Sequence, residues 1–276
     1  MKKSIVFVLA FLTVICCNSN PDKIQFEKVK SIDPFIDMIS SVELVPFAAD
    51  SIGRTETSLT TCKVDEGTLK YYGYGSGHRY RAALISSQDT VNYLEGTANV
   101  LNLSSDAPIF SKAADGGTIL IDSFNPVIYK YIRKELNSYL TFDFGKYSVP
   151  ESFFKGNDSY ISAESLFSSE FALINRYFEN AESKFVEIHL QNPKKADFYY
   201  GIQRNGKWRW FYAGKAGEDP LSTSFRFFDE NGNLISVIDS KTISRLPNDF
   251  IKLIKNPEIL SDIKTDRIVA KIKLKK

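Results

Sequence analysis

The sequence is short of most features that would announce a reaction. It has two histidines, His78 and His189, which lie far apart and form no His-x-x-x-His pair. That spacing offers no metal set of the usual kind, and no metal or other cofactor is expected. No Gly-x-Ser-x-Gly or Ser-x-x-Lys motif stands in a context that would make a nucleophile. The glycine of Asp229-Glu230-Asn231-Gly232-Asn233 falls in fourth place, where a calcium-binding EF-hand loop needs it in sixth. That segment reads as a turn. Of three cysteines, Cys16 and Cys17 are adjacent and Cys62 stands alone, so no disulfide framework is available. Cys62 reads as a small buried apolar residue. Charge of one sign is also missing: 35 Lys+Arg face 33 Asp+Glu. Nucleic-acid binders show a clustered basic surface, and that class is set aside.

Long apolar runs are lacking too, and the first twenty residues turn on this. Lys2 and Lys3 precede an apolar stretch from Ile5 to Ile15, after which Asn18, Ser19 and Asn20 follow at once. A spanning helix needs about 20 apolar residues, whereas the apolar region of a secretory signal needs about 7–15. The run fits an export signal over residues 1–16. Val14, Ile15 and Cys16 lead into Cys17 and resemble a bacterial lipobox, with a branched residue three before the lipidated cysteine and a small one just before it. Cys17 fits that place better than Cys16, which would have the bulky Ile15 before it. The expectation is a lipoprotein carrying palmitate or similar chains, each buried methylene adding about 0.8 kcal/mol of membrane affinity. Removal of Lys2 and Lys3 takes Lys+Arg from 35 to 33, equal to the 33 acids.

What the chain does have is alternation. Residues 17–30 read as a polar tether, and residues 31–276 as one folded domain. SIDPFIDMIS suggests a short helix with Asp33 as N-cap and Pro34 at its first position, and PNDFIKLIKNPEIL suggests another. Between and around them, VELVPF, TLKYYGY, RYRAALIS, GTILIDS, PVIYKYI, SYLTFDF, KFVEIHL, ADFYYGI, KWRWFYAG, SFRFFD, LISVID and VAKIKLK alternate with period two. Hairpin turns are legible at DGG, RNG and DENGN. The fold class is all-β with one or two short helices. A propeller is favoured over a sandwich or barrel, because strands arrive in hairpin pairs without long crossovers. At about four strands per blade, the candidate strands come nearer four blades than six.

DSFNPVIYKYIRKELNSYLTFDFGKYSVPESFF resembles a segment of the uncharacterised six-bladed β-propeller lipoproteins of Gram-negative bacteria. The likeness rests on Asp143 to Tyr147 (DFGKY) with Pro150, Phe153 and Phe154. It extends to the lipobox-like start, the IDPFIDMISSVELVPF lead-in and the closing VAKIKLK strand. The early Gly-rich loop of that family has no counterpart here, which suggests a shortened or divergent member. The resemblance implies a Gram-negative envelope protein, placed at the outer membrane.

Candidate binding residues come from two stretches. In KWRWFY a strand would put Trp208, Trp210 and Tyr212 on one face, and Lys207, Arg209 and Phe211 on the other. The first face could be a platform for a sugar ring or an apolar partner, with Arg209 nearby, or it could be packing between sheets. In YYGYGSGHRY, Gly73, Gly75 and Gly77 precede an alternating strand and no helix, which argues against phosphate cradling. Tyr72, Tyr74, His78, Arg79 and Arg81 could still line a binding surface. Asp50-Ser51-Ile52 and Asp89-Thr90-Val91 resemble an O-glycosylation acceptor pattern. The terminal KIKLKK reads as an edge or closing strand. The function expected is an envelope binding or scaffold module for a glycan, a peptide or a partner protein. The alternative is an envelope hydrolase or lyase working with carboxylates and tyrosines in a central funnel. A cluster of Asp, Glu, His or Arg at one mouth would point to the alternative.

Overall fold

The structure, a computed structural model, describes residues 23–26, 28, 35–47, 60–74, 78–96, 108–150, 168–192, 194–215, 225–261 and 267–275. Cys17, Asp33, Pro34, Asp50, Ser51, Ile52, Gly75, Gly77, Phe153 and Phe154 lie outside them. Strands dominate. β1 (Ile24–Gln25) and β2 (Ile39–Pro46) come first. Then follow β3 (Thr61–Val64), β4 (Gly67–Tyr71), β5 (Tyr80–Ile85) and β6 (Thr90–Glu95), which form the first antiparallel sheet in that order. The second sheet holds β7 (Phe110–Lys112), β8 (Thr118–Ile121), β9 (Val127–Ile132) and β10 (Glu135–Asp143), with β1 added parallel to β10. The third is β11 (Ala172–Glu179), β12 (Ser183–Leu190), β13 (Asp197–Arg204) and β14 (Lys207–Lys215). The fourth is β15 (Phe225–Phe228), β16 (Leu234–Asp239) and β17 (Arg267–Leu274), completed by β2 from the other end of the chain.

Helix is sparse. Phe35–Met38 forms a 3-10 turn within the expected first helix. The expected second helix divides into α-helical Asn248–Ile251 and 3-10 Pro257–Leu260, because Asn256 leaves helical geometry (φ −132°, ψ 63°) just before Pro257. The Asn256 amide is used instead to bracket Leu44 of β2, accepting from its N–H at 2.9 Å and donating to its carbonyl at 2.8 Å. A further helical turn, Ser240–Ile243, was not legible in the sequence.

The turns explain the hairpins. Asn205 and Gly206 sit at φ 50° and 74°, the type I′ geometry whose twist matches paired strands. Arg133 and Lys134 make the same turn at φ 51° and 66° without Gly or Asn, so no sequence signal marks it. In DENGN, the Asp229 carboxylate accepts from the N–H groups of Asn231 (3.0 Å) and Asn233 (2.8 Å), closing a turn as expected.

Three hydrophobic cores hold consecutive sheets together. Leu69, Leu84, Phe110 and Leu120 join the first to the second. Ile121, Phe142, Tyr177, Val186 and Trp210 join the second to the third. Phe178, Phe185, Tyr200, Phe225 and Ile272 join the third to the fourth. Among the described residues none of these cores joins the fourth sheet to the first. β11 touches β7 and β8 on one side and β15 on the other, so the first strands of the last three sheets lie side by side. β17 is an interior strand rather than an edge, paired with β16 and β2, and its lysines alternate with buried Ile272 and Leu274. Cys62 is half-buried against the first core, and desolvation pushes its thiol up, away from thiolate reactivity.

Candidate functional site

Each junction between sheets also carries a carboxylate. Asp122, just after β8, is fully buried. It accepts hydrogen bonds from the hydroxyls of Tyr71 and Tyr74 and from Nε of Arg81, each at 2.9 Å, all from the first sheet's side. Glu179, at the end of β11, accepts from the hydroxyls of Tyr139 (2.9 Å) and Tyr177 and from the Ala114 N–H (3.0 Å), tying the third sheet to the second. Glu187, in the middle of β12, is fully buried. Asn175 Nδ2 donates to it at 2.6 Å and His189 Nε2 at 2.7 Å, and Nε of Arg176 stands 4.0 Å away. Arg176 Nη1 in turn donates 2.9 Å to the Phe225 carbonyl of the fourth sheet. Burial pushes the Glu187 carboxyl up. The hydrogen bond and charge of His189, the Arg176 guanidinium and the Asn175 amide outweigh it and hold the carboxyl below its ordinary value.

Beside this third junction the first strands β7, β11 and β15 enclose a cavity of about 320 Å³. Its walls are largely apolar, including Phe110, Phe178 and Phe228. Among the described residues three cations line it, one from each strand: Arg176, which is buried, and Lys112 and Arg226, which are exposed to solvent. Two β-bulges shape this end. The register shift between Ile174 and Arg176 leaves Asn175 as the extra residue, and the shift between Phe225 and Phe227 does the same for Arg226. Bulges re-aim side chains off the regular alternation, and here they bring polar groups to the cavity and its border. Arg226 is exposed to solvent at its surface, yet desolvation of part of the side chain, with Arg176 and Arg267 nearby, lowers it to about 10, and Glu187 offsets part of the effect.

The residues singled out from the sequence lie elsewhere. Trp208, Trp210 and Tyr212 do share a face, and it is turned toward the second sheet. Trp210 is buried, stacked at 6.0 Å on Trp208 and edge-on to Phe26 at 5.1 Å, while its indole N–H donates 3.0 Å to the Gln25 carbonyl. Gly201, paired with Trp210 in register, makes room for it: a Cβ there would stand 2.7 Å from both the indole ring and Val186. Tyr212 donates to Asp197 at 2.8 Å. Arg209 points the other way, over the Phe211 ring and 2.9 Å from Met38 Sδ. Tyr74 is committed to Asp122, and the His78 ring lies 4.1 Å from that of Tyr72. Arg79 forms an exposed ion pair with Glu95 at 2.8 Å. None of these lines the cavity. Thr90 is exposed at the start of β6. Ile24–Gln25, inside the stretch read as a tether, is strand, and Phe26 packs on Phe144 of the DFGKY turn at 5.6 Å.

Lys112, Arg176, Glu179 and Arg226 were missed. ALINRYFE did not read as a strand, and in SFRFFD the charged residue interrupts an aromatic run with no motif around it. The only hint available was a charge embedded in an otherwise apolar strand.

The cavity mixes cations with a carboxylate, which bears on catalysis. Glu179 is held by two hydroxyls and an N–H, while the Glu187 side chain is wholly buried. Burial and the neighbouring Glu179 push Tyr177 far above its ordinary value, the wrong direction for a general base near neutral pH. Among the described residues, no group of three or more His, Cys, Asp or Glu could hold a metal, and no helix is long and apolar enough to cross a membrane.

No family model and no curated protein matches the chain. Among solved structures it is similar to a protein of Bacteroides fragilis NCTC 9343 described as exported. The TM-score is 0.54 and the identity 14%, over 78% of this chain and 65% of that one. The chain thus spans about two thirds of that protein, and the likeness is one of fold.

Proposed function

We propose that this is an exported, lipid-anchored binding module of the cell envelope, with its four sheets arranged as blades of a shortened propeller and its ligand held in the cavity between β7, β11 and β15. The single observation that carries the binding reading is that cavity: three neighbouring sheets each contribute a cation to one aromatic-walled space. At about 320 Å³ it falls at the small end of small-molecule pockets, which run about 300–1,000 Å³. Arg176, Arg226 and Glu179 at the cavity are the kind of cluster that favours the hydrolase or lyase reading, which is kept second because Glu179 is tied to two hydroxyls and an N–H and Glu187 is wholly buried.

The signal-like start, Cys17 in its lipobox-like setting and the fold shared with an exported protein support export and anchoring. The pairing of chain ends through β2 and β17 supports the propeller and the proposed kinship with the six-bladed lipoproteins. If Cys17 carries the lipid, only residues 18–23 separate it from β1, a reach of about 20 Å fully extended. The outer edge of the second sheet would then lie close to the membrane, at the outer membrane if the resemblance holds.

The test is to purify the full chain from native membranes and analyse by mass spectrometry the small molecules released on denaturation. Ser111→Phe, which fills the cavity, serves as the comparison. A compound present in about one-to-one amount with the native protein and lost from Ser111→Phe is expected. Identical extracts from the two proteins would sink the cavity as a binding site, and a stoichiometric protein partner in both would make the molecule an accessory subunit instead.

A further inference from the structure

We infer that the cavity selects small amphipathic organic anions, a single carboxylate or phosphate group on an aromatic or branched aliphatic body, rather than neutral sugars. The inference rests on the reading of the cavity as the ligand site and deepens it.

The first ground is the charge of the lining. Among the described lining residues, Lys112, Arg176 and Arg226 bring three positive charges against the one carboxylate of Glu179. Glu179 faces two tyrosine hydroxyls and a backbone N–H, so its acceptor capacity is largely spent within the protein. Glu187 compensates Arg176 from behind, and Arg267 adds a further positive charge at the border.

The second ground is the chemistry of the rest of the wall. A neutral sugar presents hydroxyls that need acceptors as well as donors, and a site built for it places carboxylates or amides around an aromatic face. Among the described residues, the remaining wall is Phe110, Phe178, Phe227 and Phe228 with Pro108, and its two hydroxyls are already engaged, Ser111 donating to the Tyr177 carbonyl at 3.0 Å and Tyr177 to Glu179. Phe178 is braced by stacking on Phe185 at 4.7 Å and by an edge contact with Phe228 at 5.4 Å. Such a surface takes an apolar body. Arg226, delivered by its bulge, brings a guanidinium, the planar group whose donors suit carboxylates and phosphates; its Nη1 also donates to the Phe225 carbonyl at 3.3 Å. A largely apolar wall with cations from three strands fits an organic acid.

The experiment is calorimetric titration of the full lipidated chain in detergent with matched pairs: phenylacetate against phenylacetamide, 4-methylpentanoate against its amide, and phenyl phosphate against inorganic phosphate. Each acid is expected to bind at least about tenfold more tightly than its amide, and phenyl phosphate more tightly than inorganic phosphate by a similar factor. Arg226→Gln is expected to weaken the acids by about tenfold or more with little change in the melting temperature, since the Arg226 side chain is exposed to solvent. Arg176→Gln is avoided, because Arg176 is a structural partner of Glu187 and of Phe225. Amides that bind as tightly as the acids would overturn the anion inference and leave the cavity a binding site. Inorganic phosphate binding as tightly as phenyl phosphate would overturn the amphipathic part, leaving a plain anion site. Unchanged affinity in Arg226→Gln would overturn the role of that arginine. If no probe binds and Ser111→Phe yields the same extract as the native chain, both the inference and the binding reading fall.

Discussion

Glu187 offers the sharpest test of how the third and fourth sheets are joined. Glu187→Gln keeps the shape of the side chain and one oxygen, which can still accept from Asn175 and His189. Its amide nitrogen replaces Oε2, so a donor faces the guanidinium nitrogen now 4.0 Å away. Arg176 then loses the charge of Glu187 while it stays buried, in a neighbourhood that already includes Arg226 and Arg267. Removing one partner of a buried pair costs about 3–5 kcal/mol, and the retained oxygen favours the lower end, about 3. For a chain of this size each kcal/mol moves the melting temperature by about 2–4 °C, so a drop of about 6–12 °C is expected at pH 7. The pH dependence follows from the direction of the shift. The folded value of Glu187 lies below its ordinary value of 4.5, so the stability it contributes is complete above that value and is lost as pH falls through the depressed folded value. Melting curves of the native and Glu187→Gln proteins, followed by circular dichroism, should therefore lie far apart at neutral pH and draw together in acid. Melting temperatures within about 2 °C of each other at pH 7 would refute the account, because a buried pair of this kind cannot be broken so cheaply.

Other outcomes follow from the same structure. Trp210→Ala should destabilise by about 3–5 kcal/mol in urea titration while leaving any cavity ligand bound, since the indole packs between the second and third sheets; loss of binding with stability intact would restore the aromatic-platform reading. Lys134→Gly should raise stability by about 0.5–1 kcal/mol, because Lys134 holds φ 66° in the Arg133–Lys134 turn, where an L side chain is strained. Unchanged or lower stability would show that the turn carries no such strain. Cys17→Ala should move the protein from the membrane to the soluble fraction and end incorporation of labelled palmitate; retention of both would remove the lipoprotein reading.

Much of the local architecture is written in the chain one residue at a time. Period-two alternation placed most of the strands, because a pleated strand with a buried face must alternate. Asn205–Gly206 and Asp229–Asn233 marked their hairpins, because positive φ and side-chain-closed turns select those residues. The separation of Trp208, Trp210 and Tyr212 from Arg209 onto opposite faces was likewise a matter of parity. Parity does not say what a face meets, and only the packing of the third sheet on the second, with Phe26 brought in by β1, turned the tryptophans inward. ALINRYFE was illegible as a strand because its bulge at Asn175 breaks the alternation on which such reading depends. The same is true in kind of Arg226, an extra residue whose direction comes from a register shift. The cavity, its three cations and the buried partners of Glu187 come from strands far apart in sequence, Phe110–Lys112, Ala172–Glu179 and Phe225–Phe228. Their meeting is a property of how the sheets stack, and no local pattern encodes it.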